Sequence, residues 1–274
     1  MSGAARVVVK LGGDVLGGAA LRVVAREIAR ACAAGRRIVV VHGGGPQATD
    51  LSRRLGLEPK IVGGRRVTDE ATLDVMKMVV AGKLNVDLCA ALRGAGVPAV
   101  GVSGTSGVIR AKKRPPRVVS GGAAEPVDFG FVGDVESFDV DLLAALELAG
   151  YVPVIACLGG AVGADVAGGV LNINADVVAS QLAGALKADA LVACTAVGGV
   201  RRDRNDPSSR LARLTVAEAR AAIAAGTVVG GMIPKLEEAF QSLEAGVAAV
   251  HIVGAEEIAA SLEEPGSVGT LLVV

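Results

Sequence analysis

The chain has 274 residues, enough for one large α/β domain or two lobes. Its 28 basic and 28 acidic residues balance, so no overall field recruits nucleic acid or an acidic membrane, and an anionic ligand must be held by local groups. Although 51% of residues are hydrophobic, no uncharged apolar stretch reaches the roughly 18 residues of a membrane-spanning helix, and the longest ones are broken by Gly and Pro.

The opening residues MSGAARVVVK run straight into a strand-like segment without the features of a signal peptide, which predicts a cytoplasmic protein. RVVVKL is the first strand, followed by a helix over 18–34 in which Leu21, Val24, Ile28 and Cys32 keep near-helical spacing and Gly35 supplies the stop. RIVVVH is the second strand and 46–55 the second helix. Further on, VPAVGVS, VPVIAC, DALVACT and AAVHIV read as strands. Strands alternating with helices predict parallel pairing with helical crossovers. The expected fold class is therefore α/β, an αβα sandwich with a mainly parallel central sheet and two lobes. The strands are apolar without alternation, as expected when helices cover both faces of the sheet.

Between these elements, a helix over 69–82 carries Leu73, Met76, Val79 and Val80 at near-helical spacing, either as core or as the apolar face of a two-fold partner. Residues 104–138 are rich in Gly, Pro and short β-like runs and read as a hairpin-rich insertion in the sheet. Within them RAKKRPPR concentrates basic residues, but with one Tyr, four Phe and no Trp in the chain there is little to stack on bases, so a solvated loop is expected. LGGAVGADVAGGVLNIN reads as a glycine-rich hairpin leading to a helix, dividing a 1–170 lobe from a 171–274 lobe. The four cysteines, Cys32, Cys89, Cys157 and Cys194, lie far apart in apolar contexts and read as reduced core thiols.

Open α/β sheets bind ligands beyond the carboxyl ends of their strands. The first strand ends in VVVKLGG, which puts Lys10 there, although a terminal lysine can also simply reach for water. The second ends in VVHGGGPQ. Gly43, Gly44 and Gly45 expose main-chain amides at a helix start, with Pro46 suited to the first helical position, and together these make an anion site. Neither a dinucleotide-binding glycine fingerprint nor a Walker loop is present. His42 reads as a packed strand-end residue. Arg66 stands just before a helix that Thr68 or Asp69 can cap, placed to fork onto a carboxylate. In NINAD, Asn174 is a helix cap and Asp176 lies in the first turn, but Asn172 has no such role. In GGMIPK, Pro234 at the first helical position puts Lys235 in the first turn, where a cation opposes the helix dipole; local rules tend to be broken at functional sites. Two lysines, glycine-rich turns, an arginine, an asparagine and an aspartate without a nucleophile–His pair fit phosphoryl transfer, where positioning and charge neutralisation do most of the work.

VVKLGG, VVHGGGPQ, GRRVTDEATLDVMKMVVAGKLN, FGFVGDV, LNINAD and GGMIPK, in that order, resemble the amino-acid kinase family, and within it the N-acetylglutamate kinases, over nearly the whole chain. The resemblance implies transfer of phosphate from MgATP, thus ATP and Mg2+, to the side-chain carboxylate of N-acetyl-L-glutamate, with the acceptor on the 1–170 lobe and ATP on the 171–274 lobe. It implies that Lys10 and Lys235 neutralise the transferring group, that Asp176 holds them, and that Gly12, Gly44 and Gly45 offer amides. It also implies that Arg66 and Asn172 bind the acceptor under a lid over 57–67. Gly12 and Gly13, the turn Ala196, Val197 and Gly198, and Thr227 would bind the nucleotide. The family usually has Asp where this chain has Ala196, which puts the nucleotide contact in doubt. A homodimer only weakly sensitive to arginine is expected, because about six residues precede the first strand.

Overall fold

The computed structural model describes residues 4–118, 125–162, 169–203 and 205–274. Its core is an eight-stranded sheet made of β1 (Arg6–Leu11), β2 (Arg37–His42), β5 (Ala99–Ser103), β8 (Val152–Ala156), β11 (Ala190–Cys194), β12 (Arg213–Thr215), β13 (Ala249–Val253) and β14 (Thr270–Val273). The strand order is β12-β14-β13-β11-β1-β2-β8-β5. Every pairing is parallel except β13 with β14. The valine runs explain the sandwich. Successive strand residues point to opposite faces. Val7, Val9 and Leu11 pack in one apolar layer with Ile28 of α1 (Gly18–Ala33), while Val8, Val39 and Val41 pack in the other with Leu182 of α6 (Ala175–Ala185) and Phe240 of α8 (Met232–Glu244).

The remaining elements frame the carboxyl ends of these strands. Helix α2 (Gly45–Arg54) starts directly after the glycine turn, so Pro46 is its second residue rather than its first. The hairpin β3 (Ile61–Val62) and β4 (Arg65–Arg66) turns on Gly63 and Gly64, whose φ of 53° and 75° fit the two-residue turn that glycine favours. Asp69 accepts from Thr72 N at 2.8 Å and caps α3 (Glu70–Met76), leaving Thr68 free for another partner. The predicted 69–82 helix is longer than expected. It continues through a π-helical segment (Lys77–Leu84) into α4 (Asn85–Gly94), and the wider i→i+5 turn shifts the apolar face so that simple 3.6-residue spacing loses the register. Leu73, Met76, Val79 and Val80 are all buried, whereas Met78 and Val86 are exposed on the same helical run.

The expected insertion in the sheet is instead a second sheet, because its strands pair only with one another. β6 (Ile109–Lys113), β7 (Gly133–Phe138), β9 (Leu158–Ala161) and β10 (Val170–Asn172) are arranged β10-β9-β6-β7 beside the central one. Part of the predicted glycine-rich hairpin, at 163–168, lies outside the described residues, but the antiparallel pairing of β9 with β10 before α6 is present. The segment RAKKRPPR is not a solvated loop. Its first four residues belong to β6, and the next, Arg114, is buried. The carboxyl-terminal half adds α5 (Val140–Leu148), α7 (Val216–Ala224) with a reciprocal Thr215–Glu218 cap, and α9 (Ile258–Glu263). All four cysteines are free. Among the described residues no helix is long and apolar enough to cross a membrane.

Candidate active site

A cleft of about 440 Å³ opens where β1, β2 and β10 end and where α2 and α6 begin. A narrow side cavity of about 20 Å³ continues from it toward α8, with Lys10, Asp176 and Glu238 lining both spaces. Parallel pairing brings the parts together: Lys10 sits beside Val41 of β2 and Ala193 of β11, one residue before each strand's end. Only 5% exposed, Lys10 is not a lysine that reaches for water. Its Nζ lies 2.6 Å from Asp176 Oδ1, and Asn174 holds that helix start by accepting from Asp176 N at 2.7 Å.

Lys235 lines the side cavity with Lys10 and Asp176 and has no ion-pair partner among the described residues. Its helix begins at Met232, two residues before the expected start at Pro234, so Lys235 occupies the fourth helical position rather than the second. The two lysines therefore line one small cavity beside the cleft although they lie far apart in the sequence.

The glycine turns are shaped by what stands against them. A Cβ on Gly13 would come within 2.6 Å of Pro46 Cδ, and Gln47 Nε2 donates to Gly13 O at 2.7 Å, which ties the first turn to the second. A Cβ on Gly44 would come within 2.4 Å of Leu84 Cδ1. The amides divide into two sets. Gly12 N donates to Cys194 O at 3.3 Å and Gly43 N to Leu11 O at 3.1 Å, so those two hold the turns together. Gly12 thus departs from the expectation of a free amide. No protein acceptor among the described residues takes the N–H of Gly44 or Gly45, both of which line the cleft.

Arg66 donates through Nη2 to Gly45 O at 3.0 Å and Thr49 Oγ1 at 2.6 Å, while its buried Nη1 has no partner. Burial pushes the guanidinium's pKa below its usual value, the signature of a cation short of counter-charge. Asn172 Nδ2 donates to Thr68 Oγ1 at 3.1 Å, which fixes the side chain in the cleft lining. The geometry therefore gathers Lys10, Gly12, Gly13, Gly44, Gly45, Arg66, Asn172 and Asp176 around one space, with Lys235 adjoining. It leaves Ala196, Val197, Gly198 and Thr227 outside that space. The first three form a turn after β11 with Ala196 and Val197 exposed, and Thr227 donates its N–H to Ala222 O at 3.0 Å.

Five charged cleft residues were missed in the sequence. Arg114, 6% exposed, grips Asp134 Oδ1 at 2.6 and 2.9 Å, and Arg117 reaches the same carboxylate at 3.4 Å. Arg65 and Glu238 complete the set. The strand had a signal, since Ile109 and Ala111 are buried and Arg110 and Lys112 exposed with period 2, but that period puts Arg114 on the exposed face, so its burial was not legible. Glu238 lies one turn beyond Lys235, with Oε2 buried and unpartnered; burial, then Asp176, raises its carboxyl pKa. Cys157 and Cys194 flank Lys10, but burial pushes both thiols up, Cys194 to about 12, so neither is a thiolate nucleophile.

The model of the Amino acid kinase family matches residues 5–254. The chain belongs to the amino acid kinase family. It is 55% identical over 271 residues to an acetylglutamate kinase of Anaeromyxobacter dehalogenans (strain 2CP-1), covering 97% of this chain and 98% of that relative. It is 54% identical to an acetylglutamate kinase of Sorangium cellulosum, covering 97% and 94%. Among solved structures, the N-acetylglutamate synthase from Neisseria gonorrhoeae complexed with coenzyme A and N-acetyl-glutamate superposes with a TM-score of 0.80 at 27% identity, covering 98% of this chain and 59% of that one. This chain thus spans little more than half of that synthase. A carbamate kinase from Giardia shares the family fold, with a TM-score of 0.72 at 19% identity and 99% coverage of both chains.

Proposed function

We propose that the chain transfers the terminal phosphoryl group of MgATP to the side-chain carboxylate of N-acetyl-L-glutamate, in arginine biosynthesis. The observation that carries this reading is the pairing of buried Lys10 with the half-buried Asp176 in a cleft where Arg66 keeps an unpartnered Nη1, in a chain 55% identical to an acetylglutamate kinase over nearly its whole length. Arg66 and Asn172 hold the acceptor's α-carboxylate and amide. The free amides of Gly44 and Gly45 face the oxygens that gain charge, and Lys10 and Lys235 neutralise the group in flight while Asp176 orients Lys10. A carboxylate acceptor is already ionised at neutral pH, so the site needs no general base, which fits the absence of a His in the cleft lining.

The acceptor belongs on the lobe of residues 1–170 and the nucleotide on that of 171–274, against Ala196, Val197, Gly198 and Thr227, with Gly12 and Gly13 at the phosphates. Mg2+ supplies charge neutralisation when it is bound, and it usually does so through phosphates, water and one or two carboxylates. Glu238, with a buried unpartnered Oε2 where the two cavities meet, suits it. We also place the enzyme in the cytoplasm as a homodimer, with the exposed Met78 and Val86 supporting a partner face on the long helical run.

The test is ADP release with MgATP against N-acetyl-L-glutamate, N-acetyl-aminoadipate, glutamate, aspartate and carbamate. N-acetyl-L-glutamate should give the highest kcat/KM, and Lys10→Ala or Lys235→Ala should lower kcat by about 100-fold or more with acceptor KM little changed. Preference for another acceptor, or unchanged turnover in both lysine variants, would refute the assignment.

A further inference from the structure

Behind the glycine turn lies a buried polar chain that the phosphoryl-transfer chemistry does not use. His42 is 0% exposed and Asn85 7%. His42 Nδ1 stands 2.9 Å from Gly43 O, and its Nε2 stands 3.0 Å from Asn85 Nδ2, which also donates to Val154 O at 3.0 Å. These contacts leave one consistent set of hydrogens. A carbonyl only accepts, so Nδ1 carries the proton; Nε2 is then the acceptor, and the two amide hydrogens of Asn85 are both used. The opposite amide orientation would set Oδ1 against two acceptors. Burial agrees with a neutral ring, holding the imidazole pKa down to about 4. Room for Asn85 is made at Gly101, where a Cβ would stand 2.1 Å from Asn85 Oδ1.

The carbonyl held by His42 belongs to the peptide whose other end is the Gly44 N–H. Because that peptide is planar and trans, fixing the direction of Gly43 C=O fixes the direction of Gly44 N–H on the far side. Leu84, the last residue of the π-helical segment, bears on Gly44 itself, and the next residue, Asn85, acts through His42. Two adjacent residues of the long helix therefore hold the turn, one by packing and one by hydrogen bonding.

We infer that Asn85 and His42 are positioning residues for phosphoryl transfer, a two-bond relay that aims the Gly44 amide into the cleft, while the Gly45 amide is set by the first turn of α2, where Ala48 N donates to Gly44 O at 2.9 Å. The inference rests on the functional reading above for what that amide contacts, but not for the aiming itself. Gly43 N and Gly44 O are held by Leu11 O and Ala48 N, so the Gly43–Gly44 peptide between them is the one plane of the glycine run whose carbonyl depends on the relay. Without the relay, the reaction loses alignment at the atoms where charge develops.

Two substitutions at His42 separate this role from packing. The amide nitrogen of Asn stands the same number of bonds from Cβ as Nδ1, whereas that of Gln stands as far as Nε2. Gln is nearer to His in volume, so packing alone favours His42→Gln, while the relay favours His42→Asn. We expect His42→Asn to keep kcat within about threefold of the parent protein, and His42→Gln to lose about tenfold or more, with acceptor KM within about twofold in both. His42→Gln should nonetheless melt at the higher temperature of the two. The second readout is independent of activity: in 15N-glycine spectra, the Gly44 amide resonance should move in His42→Gln and in Asn85→Ala, and stay near its original position in His42→Asn. Parent protein that releases no ADP with N-acetyl-L-glutamate would sink the functional reading, and the glycine spectra would still decide the relay. Equal losses of kcat in the two His42 variants, or glycine resonances that do not distinguish them, would overturn it.

Discussion

A methyl group on Gly44 probes how tightly the long helix holds the glycine turn. Gly44 has φ 166° and ψ 25°, and an alanine side chain there runs directly into the long helix. Its Cβ would stand 2.4 Å from Leu84 Cδ1 and 3.2 Å from Val80 Cγ2, whereas carbon atoms rest about 3.5 to 4 Å apart. Leu84 and Val80 are 2% and 1% exposed, so neither can swing into water to relieve an overlap of about 1 Å. Overpacking of this kind costs about 1–3 kcal/mol of stability. If the turn moves instead by about 1 Å, its two free amides leave their positions and turnover falls by about 100-fold. Leu84→Ala alone should destabilise by about 2–5 kcal/mol through the cavity it leaves. Combined with Gly44→Ala, the new methyl fills part of that cavity, so the double variant should be less destabilised than the sum by about 1 kcal/mol or more, and part of the lost turnover should return. Urea unfolding and ADP-release kinetics on the four proteins measure both quantities. Parent-like stability and kcat in Gly44→Ala, or strictly additive effects in the double variant, would refute the packing argument.

Arg66→Lys keeps the charge but loses the fork, so the acceptor KM should rise about tenfold or more while the ATP KM stays within about twofold, as steady-state kinetics will record. Ala196→Asp restores an acidic residue to the turn after β11 and should change the ATP KM a few-fold, about 1 kcal/mol, leaving the acceptor KM alone; an unchanged nucleotide KM makes Ala196 neutral. Stability should fall on acidification. Burial holds His42 and His251 neutral, with pKa values pushed down from 6.5 to about 4. Between those values the unfolded chain takes up protons that the native chain does not, so the contribution is complete above about pH 6.5 and is lost as pH falls toward about 4, at up to about 1.4 kcal/mol per pH unit for each ring. Urea midpoints measured from about pH 7 to pH 5.5 should drop, and His42→Asn should remove about half of the slope; flat midpoints would contradict the buried neutral rings.

Periodicity and strand-end chemistry were legible in the amino-acid sequence, because both are local. RVVVKL, RIVVVH and DALVACT announce strands buried on both faces, and the sandwich follows from where such strands place alternate side chains. Lys10, the Gly43–Gly45 turn, Arg66 and Asn172 stand out as chemistry at the ends of elements, whereas Asp176 obeys the helix-dipole rule and was singled out only by the family resemblance; the fold brings all of them around one cleft. Local rules did not carry over to Lys235, where the helix begins two residues before the proline that seemed to start it. They gave no warning of the π-helical segment either, because one extra residue per turn is set by what the helix packs on. The buried pairs were decided only by tertiary structure. Arg114 became a cleft residue because β6 and β7 pair with one another and present Asp134 to it, and His42 became part of a relay because Asn85 comes from another layer of the sandwich. A charge in a basic run and a histidine at a strand end have the same local sequence whether they face water or a partner far along the chain; the energy that separates the two outcomes lies in desolvation and in a hydrogen bond that exists only once the layers are packed.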